Sequence, residues 1–445
     1  MNAYYHSIRF DADACDGCMA CMRTCPTQAV RVRGDKAILL EDRCIDCGEC
    51  IKACVRNAIL PLTASMAHLT QFACRVAIPS PALYTQFDID ITPGLIHEGL
   101  RRSGFDDAAT LSWSCVAVTR AIEYFVAGYR GQYPLISSFC PSVVRLIQVR
   151  YPELLGQLLP ILAPREVAAC QAKVQKAAET GLRPDQIGAV YVTPCPAKMV
   201  SIVDHPGMDR SHIVSAVGIS DLFPLLSPII RDVRRSGVKV AETETAAGLS
   251  WAFSIGLPSS LPAENTMSVW GLPNVLRILD DIDKGKLSRY GFVECHACPE
   301  GCVSGAVTVE NPYVARARAL RLQQSLPKRD PSDEPDLRRR FDRGEFSTTA
   351  PFDARPLQPL DREIGGAITK MKARDRLVGQ LPGIDCGACG APSCGAFAED
   401  VVTGQIGESA CVFVREQRVA DAVRHLAALV LPAGQAARAD TGEHR

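Results

Sequence analysis

Residues 189–198 read AVYVTPCPAK: a run of apolar and β-branched residues, then a cysteine, then proline. The same order recurs in YPLISSFCP (133–141), which ends at Cys140, and in GFVECHACPEGC (291–302), which carries Cys298 and Cys302. Strand-like runs that each deliver cysteine suit an α/β sheet, where sites collect at the carboxyl edge of parallel strands and at the starts of the following helices. Pro141 fits the first turn of a helix after Cys140, and PSVVRLIQVRYPELL (141–155) reads as that helix. Residues 72–314 are therefore expected to form one α/β domain.

Outward from this domain, cysteine spacing organises the chain. Cys15, Cys18, Cys21 and Cys25-Pro26 reproduce the run of a bacterial two-cluster ferredoxin, and Cys44, Cys47, Cys50 and Cys54 repeat it, with Val55 in place of the second proline. In such runs three sulfurs grip one cubane and the fourth ligates the other. The expected sets are Cys15, Cys18, Cys21 and Cys54 for one cluster, and Cys44, Cys47, Cys50 and Cys25 for the second. Residues 1–62 thus read as an α+β two-cluster ferredoxin domain. Residues 361–431 hold Cys386, Cys389, Cys394 and Cys411 in the pattern CX2CX4CX16C, with glycines beside the cysteines that let backbone approach a bulky cluster. Zinc, which also accepts four thiolates, is the competing reading for both modules.

The rest of the composition narrows the classes. Lys plus Arg and Asp plus Glu are 49 each, so no summed positive field gathers nucleic acid. No apolar run is long enough to span a bilayer and the N-terminus has charges where a signal peptide needs an apolar core, so the chain reads as cytoplasmic. Twenty cysteines in a reducing compartment point to metal rather than disulfides. Residues 315–360, including LPKRDPSDEPDLRRRFDRGEF (326–346), lack apolar content and read as a helix end and linker; residues 432–445 read as a flexible tail. Val419, Val423, Leu426 and Val430 mark one helical face, which reads as packing against its own domain or, as the alternative, as docking a separate partner. Cys74, Cys115, Cys170 and Cys295 are expected as buried apolar thiols, with Cys295 notable for lying three residues from Cys298.

The three cysteine-bearing segments, in their order, resemble the three signature motifs of the FeFe hydrogenase catalytic domain. The resemblance implies that Cys140, Cys195, Cys298 and Cys302 hold a 4Fe-4S cubane, with Cys302 also bridging to a two-iron subcluster carrying CO and cyanide. It implies that Lys198 hydrogen-bonds a cyanide, as a point-charge ammonium can, and that Pro79 and Ser80, in VAIPSPAL (76–83), form another pocket wall. Four cubanes are expected in all: two N-terminal, one in the middle and one C-terminal. The chain departs from the fast members of the family at Phe139, where they carry a proton-relaying cysteine, and LSWSCVAVTRAIEYF (111–125) offers only Glu123 as a further acid. Pocket methionines become Thr193 and His296, and the third motif ends in GCVSGAV (301–307). His296 reads either as a replacement relay or cluster contact, or as a packed histidine with a simple hydrogen bond.

The lost relay cysteine, the ferredoxin module and the C-terminal cluster together resemble sensory FeFe hydrogenases. That resemblance implies slow H2 oxidation or proton reduction, or H2 sensing, with H2 and protons at the two-iron site and a redox partner or downstream signalling protein. The other reading is a non-catalytic 4Fe-4S electron-transfer or cluster-assembly protein lacking the two-iron subcluster.

Overall fold

The computed structural model describes residues 5–64, 66–242, 244–253, 265–328 and 334–430. Its strands, in chain order, are β1 (Ile8–Phe10), β2 (Val30–Arg33), β3 (Lys36–Leu39), β4 (Ile59–Pro61), β5 (Cys74–Pro79), β6 (Asp107–Ala108), β7 (Leu135–Ile136), β8 (Ile187–Thr193), β9 (Ser215–Gly218), β10 (Thr266–Trp270) and β11 (Phe292–His296). The chain divides into two compact units. The first comprises residues 1–14 and 41–357, the second residues 15–40 and 358–445.

In the first unit the hydrogenase-like region is α/β, as expected, but it is built on two parallel sheets rather than one. β6-β5-β8-β9 form a four-stranded sheet and β10-β11-β7 a three-stranded one. β8 is buried at every position, which explains why its sequence runs as continuous apolar text without alternation. Cys140 and Cys195 each cap the helix that follows their strand segment, Pro141–Arg150 and Pro196–Val203, with proline in the first turn. The antiparallel pair β1-β4 brings the start of the chain beside the residue run that follows Cys54.

Two expectations about the flanks need correction. The segment read as a linker contains a helix, Glu334–Asp342, and buries Leu337 and Phe346 in the core beside Leu159, Ile161 and Phe292. Two well-spaced apolar side chains were enough to dock it despite its charge. The helix Val412–Val430 leaves Val419, Val423 and Leu426 each 59% exposed, so that face does not pack against its own unit among the described residues. The tail at 432–445 lies outside the described residues.

The second unit pairs the β2-β3 hairpin with the helices Ile364–Gln380, Cys394–Val402 and Val412–Val430. The fully buried Arg31 places its Nε 2.7 Å from Asp400 Oδ2, Arg33 also pairs with Asp400, and Val32 N–H donates to the Gly390 carbonyl at 2.9 Å. Gly390, at φ +74°, permits that approach: a Cβ there would lie 2.0 Å from the Val32 oxygen.

Candidate metal centre

In the first unit one cavity of about 70 Å³ gathers Cys140, Cys195, Cys298 and Cys302 from three separate chain segments. Lys198 and Ser80, both predicted for this site, line it, as does His296. Pro79 ends β5 immediately before Ser80, and Ser80 caps the short helix Pro81–Tyr84. Lys198 Nζ donates to Cys302 Sγ at 2.9 Å. Burial opposes the charge on Lys198, yet the surrounding Cys302, Tyr191 and Cys195 groups hold its pKa above the ordinary lysine value. The lysine is thus a fixed cation aimed at sulfur.

The donor set fits an iron–sulfur cluster. Burial pushes the Cys195 thiol up to about 11, and raises Cys140 and Cys298 as well, so as bare thiols they keep their protons. A metal that draws off those protons converts these buried thiols into charged ligands. Groups that favour the anion are already in place: Ala297 N–H donates to Cys140 Sγ at 3.5 Å, and Lys198 and Lys52 lie near the sulfurs. None of the twenty cysteines is in a disulfide.

His296 is held by the fully buried Glu294, Nε2 to Oε1 at 2.6 Å, while Glu294 Oε2 accepts from Ser268 Oγ at 2.8 Å. Its ring stacks on Trp270 with an interplanar angle of 6°. The histidine is therefore both a cavity-wall group and a firmly bonded one. Phe139 fills the cavity wall edge-on to Trp251, ring centroids 5.3 Å apart. Thr193 does not line the cavity; it closes the turn before the ligand, its hydroxyl accepting from Cys195 N–H at 3.3 Å.

Several cavity residues escaped the sequence reading. Cys115 and Cys295 were expected to be buried thiols, and both are, but both also line the cavity. Cys74 is buried, and Cys170 only partly. Tyr191 lies in a run read only as strand, and Arg165 was not singled out. Asp46 was missed as well. It is fully buried between Cys44 and Cys47, accepts from Ser7 N–H at 3.1 Å, pairs with His6 Nδ1 at 2.7 Å and takes Arg145 Nη1 at 2.5 Å. Through Arg145 it anchors the second ferredoxin run on the helix Pro141–Arg150. Cys47, from that run, lines the same cavity as the four middle cysteines.

The two ferredoxin runs repeat in conformation as well as spacing. Each ends in a five-residue helix, Ala20–Thr24 or Glu49–Ala53, entered through a left-handed residue (Met19, Gly48) and closed by the fourth cysteine. Cys25 Sγ accepts from Ala29 N–H at 3.2 Å, and Cys54 Sγ from Ala58 N–H at 3.3 Å. Cys15, Cys18, Cys21 and Cys25 belong to the second unit; Cys44, Cys47, Cys50 and Cys54 to the first. Within the second unit, Cys386, Cys389, Cys394 and Cys411 line one small cavity with Phe397. Asp385 Oδ1 fixes the entry of the Cys394 helix by accepting its N–H at 2.6 Å, and Ser393 caps the same helix. No helix among the described residues is long and apolar enough to cross a membrane.

Comparison with known proteins finds three family matches along the chain. Residues 71–217 and 232–306 match the family described as iron only hydrogenase large subunit, C-terminal domain; residues 7–55 match a 4Fe-4S dicluster domain, and residues 381–413 a putative Fe-S cluster family. The chain is 24% identical over 267 residues to iron hydrogenase 1 of Clostridium pasteurianum, covering 49% of this chain and 46% of that protein. It is 20% identical to the NADP-reducing hydrogenase subunit HndD of Solidesulfovibrio fructosivorans, covering 67% of this chain and 64% of the relative. These alignments thus span between about half and two thirds of the two relatives' lengths. The periplasmic [Fe] hydrogenase large subunit of Nitratidesulfovibrio vulgaris is 25% identical over 73% of this chain and 92% of its own. Among solved structures, an apo [FeFe]-hydrogenase HydA1 variant from Chlamydomonas reinhardtii superposes with a TM-score of 0.46 at 16% identity, over 66% of this chain and 97% of that one. The iron–sulfur domains at 7–55 and 381–413 flank a hydrogenase domain, and through that domain the chain belongs to the FeFe (iron-only) hydrogenase family.

Proposed function

We propose that this protein is a hydrogenase-type redox protein of the sensory kind, in which Cys140, Cys195, Cys298 and Cys302 would hold a 4Fe-4S cubane and Cys302 would also help hold a two-iron group. The observation that carries the reading is the single cavity in which these four sulfurs, Lys198 and Phe139 meet. A bound two-iron group supplies the centre for H2 cleavage or formation. The chain's own residues do the rest. Lys198 fixes a positive charge at Cys302 and orients any anionic ligand beside it. Ser80 and Pro79 stiffen the facing wall through the capped turn into Pro81–Tyr84.

Phe139 closes off the position from which a proton would leave. Its ring carries no exchangeable proton, and loss of a positioned acid or base costs about 10² to 10⁴ in rate. Slow turnover follows, which suits detection of H2 better than bulk conversion. Cys47 in the cavity wall supports an electron route into the cluster held by Cys44, Cys47, Cys50 and Cys25. A second set, Cys15, Cys18, Cys21 and Cys54, and a fourth cubane on Cys386, Cys389, Cys394 and Cys411 extend the chain of carriers toward a redox or signalling partner.

Infrared spectroscopy tests the reading. The protein is reconstituted anaerobically, loaded with a synthetic two-iron cofactor and freed of excess. CO and cyanide bands that stay with the protein are expected. Cubane absorbance without those bands would instead assign the chain to the non-catalytic electron carriers.

A further inference from the structure

The cavity has a second cation that the proposed function does not use. Arg165 lines it from the first turn of the helix Pro164–Thr180 and is 92% buried by its 8% exposure. Its Nη2 donates to Ser201 Oγ at 3.0 Å, and Ser201 Oγ donates in turn to the Lys198 carbonyl at 2.9 Å, so one hydroxyl ties the positions of both cations together. Arg165 Nε has no hydrogen-bond partner. The nearest carboxylate, Glu166, stands 3.7 Å from Nε and is already committed to Ser211 Oγ and to His212 N–H. No Asp or Glu lines the cavity. Lys198 already faces the Cys302 sulfur, and the carboxylate paired with the guanidinium, Glu166, does not line the cavity and leaves Nε without a hydrogen bond.

A buried, under-partnered guanidinium is costly unless an acceptor meets it. The cavity is small, so the acceptor must be small too. We propose that Arg165 and Lys198 form a binding site for small linear anions of the cyanide, azide and thiocyanate class, with Arg165 the residue that sets affinity. The inference deepens the proposed function, because a cyanide on a two-iron group is such an anion and Arg165 would be a second donor to it beside Lys198. Arg165 is then a positioning residue that holds a ligand in place and takes no part in proton transfer.

The test needs no two-iron group. Full-length protein carrying only its reconstituted iron–sulfur clusters is titrated with thiocyanate, whose C–N stretch absorbs where protein does not, and followed by infrared. A saturable shifted band is expected for the natural chain. Arg165→Met should weaken binding about 10- to 100-fold, the loss associated with one charge-assisted hydrogen bond, while Arg165→Lys, which keeps the charge, loses less. Cluster absorbance per chain confirms that each variant is assembled, and Arg165→Gln stands in for Arg165→Met if the latter does not assemble. Equal affinity and band position in natural and Arg165→Met or Arg165→Gln protein would overturn the assignment, as would the absence of a saturable band in the natural chain. Failure to load a two-iron cofactor would remove the proposed function and leave this result standing.

Discussion

Replacing Phe139 with cysteine probes the link between cavity shape and chemistry. The phenyl ring is 8% exposed and packs edge-on against Trp251. Phe→Ala in a core costs about 3–5 kcal/mol. The cysteine sulfur restores part of the lost volume, and one side of the ring already faces the cavity, so about 2–4 kcal/mol is expected for Phe139→Cys. A domain with about 5–15 kcal/mol of stability survives that loss. Against this cost, a thiol placed beside the sulfur-lined cavity supplies the exchangeable proton that the ring lacks. A complete relay is worth about 10² to 10⁴ in rate. Glu123, the one acid in the preceding helix Ser112–Gly128, is paired with Arg120 at 2.8 Å, so the onward path is incomplete. A gain near the lower end, about 10², is expected. The assay is H2/D2 exchange by two-iron-loaded protein, normalised to the intensity of the infrared CO bands. Phe139→Ala, which opens the same space without a proton donor, is the control. An equal rise in both variants, or none in Phe139→Cys, would refute the assignment of Phe139 as the block.

Three further outcomes follow from the geometry. Asp400→Asn should cost the second unit about 3–5 kcal/mol in denaturant unfolding, because it strands the fully buried Arg31 guanidinium as well as removing the partner of Arg33; a loss below 1 kcal/mol would show that the pair does not anchor the hairpin. Gly48→Ala should lower the thermal midpoint and loosen the second ferredoxin run, since Gly48 sits at φ +80° and a Cβ there would lie 2.3 Å from Ala306 Cβ; an unchanged midpoint and unchanged cluster content would contradict that tight approach. Burial lowers the pKa of His97 below 6.5, with Glu244 only partly opposing it. The unfolded chain then binds more protons, so this stabilisation is present above about pH 6.5 and is lost as pH falls through the lower folded value. His97→Gln should flatten the decline in stability between pH 7.5 and 5.5, and a parallel decline in both proteins would remove His97 as its cause.

Much of the metal chemistry was legible along the chain because ligand spacing is a local property. The repeated cysteine runs are regular because a tight loop must present three sulfurs to one cluster, and the conformations of the two runs match as their spacings do. The strand-to-cysteine-to-proline order at Cys140 and Cys195 was readable for the same reason, since a strand end and a helix start are both set by neighbouring residues. The close approach at Gly390 is made to the Val32 carbonyl, a contact between distant segments that the glycine pattern did not specify.

Other features depended on contacts between residues far apart in sequence. That β8 and β11 belong to different sheets is decided by which strands find each other, and each alone reads simply as a buried strand. The charged segment 334–346 looked unable to bury itself, yet a ready-made core accepted Leu337 and Phe346. The helical face at Val419, Val423 and Leu426 looked like a packing surface and stays exposed. Arg165 and Asp46 were not singled out along the chain, because only the fold buries their charges. Amino-acid order determined which atoms were available to hold metal, because bonding preference belongs to the side chain itself. Folding in three dimensions decided which of those atoms share a cavity and which charges lose their water, because burial and field arise only when distant segments meet.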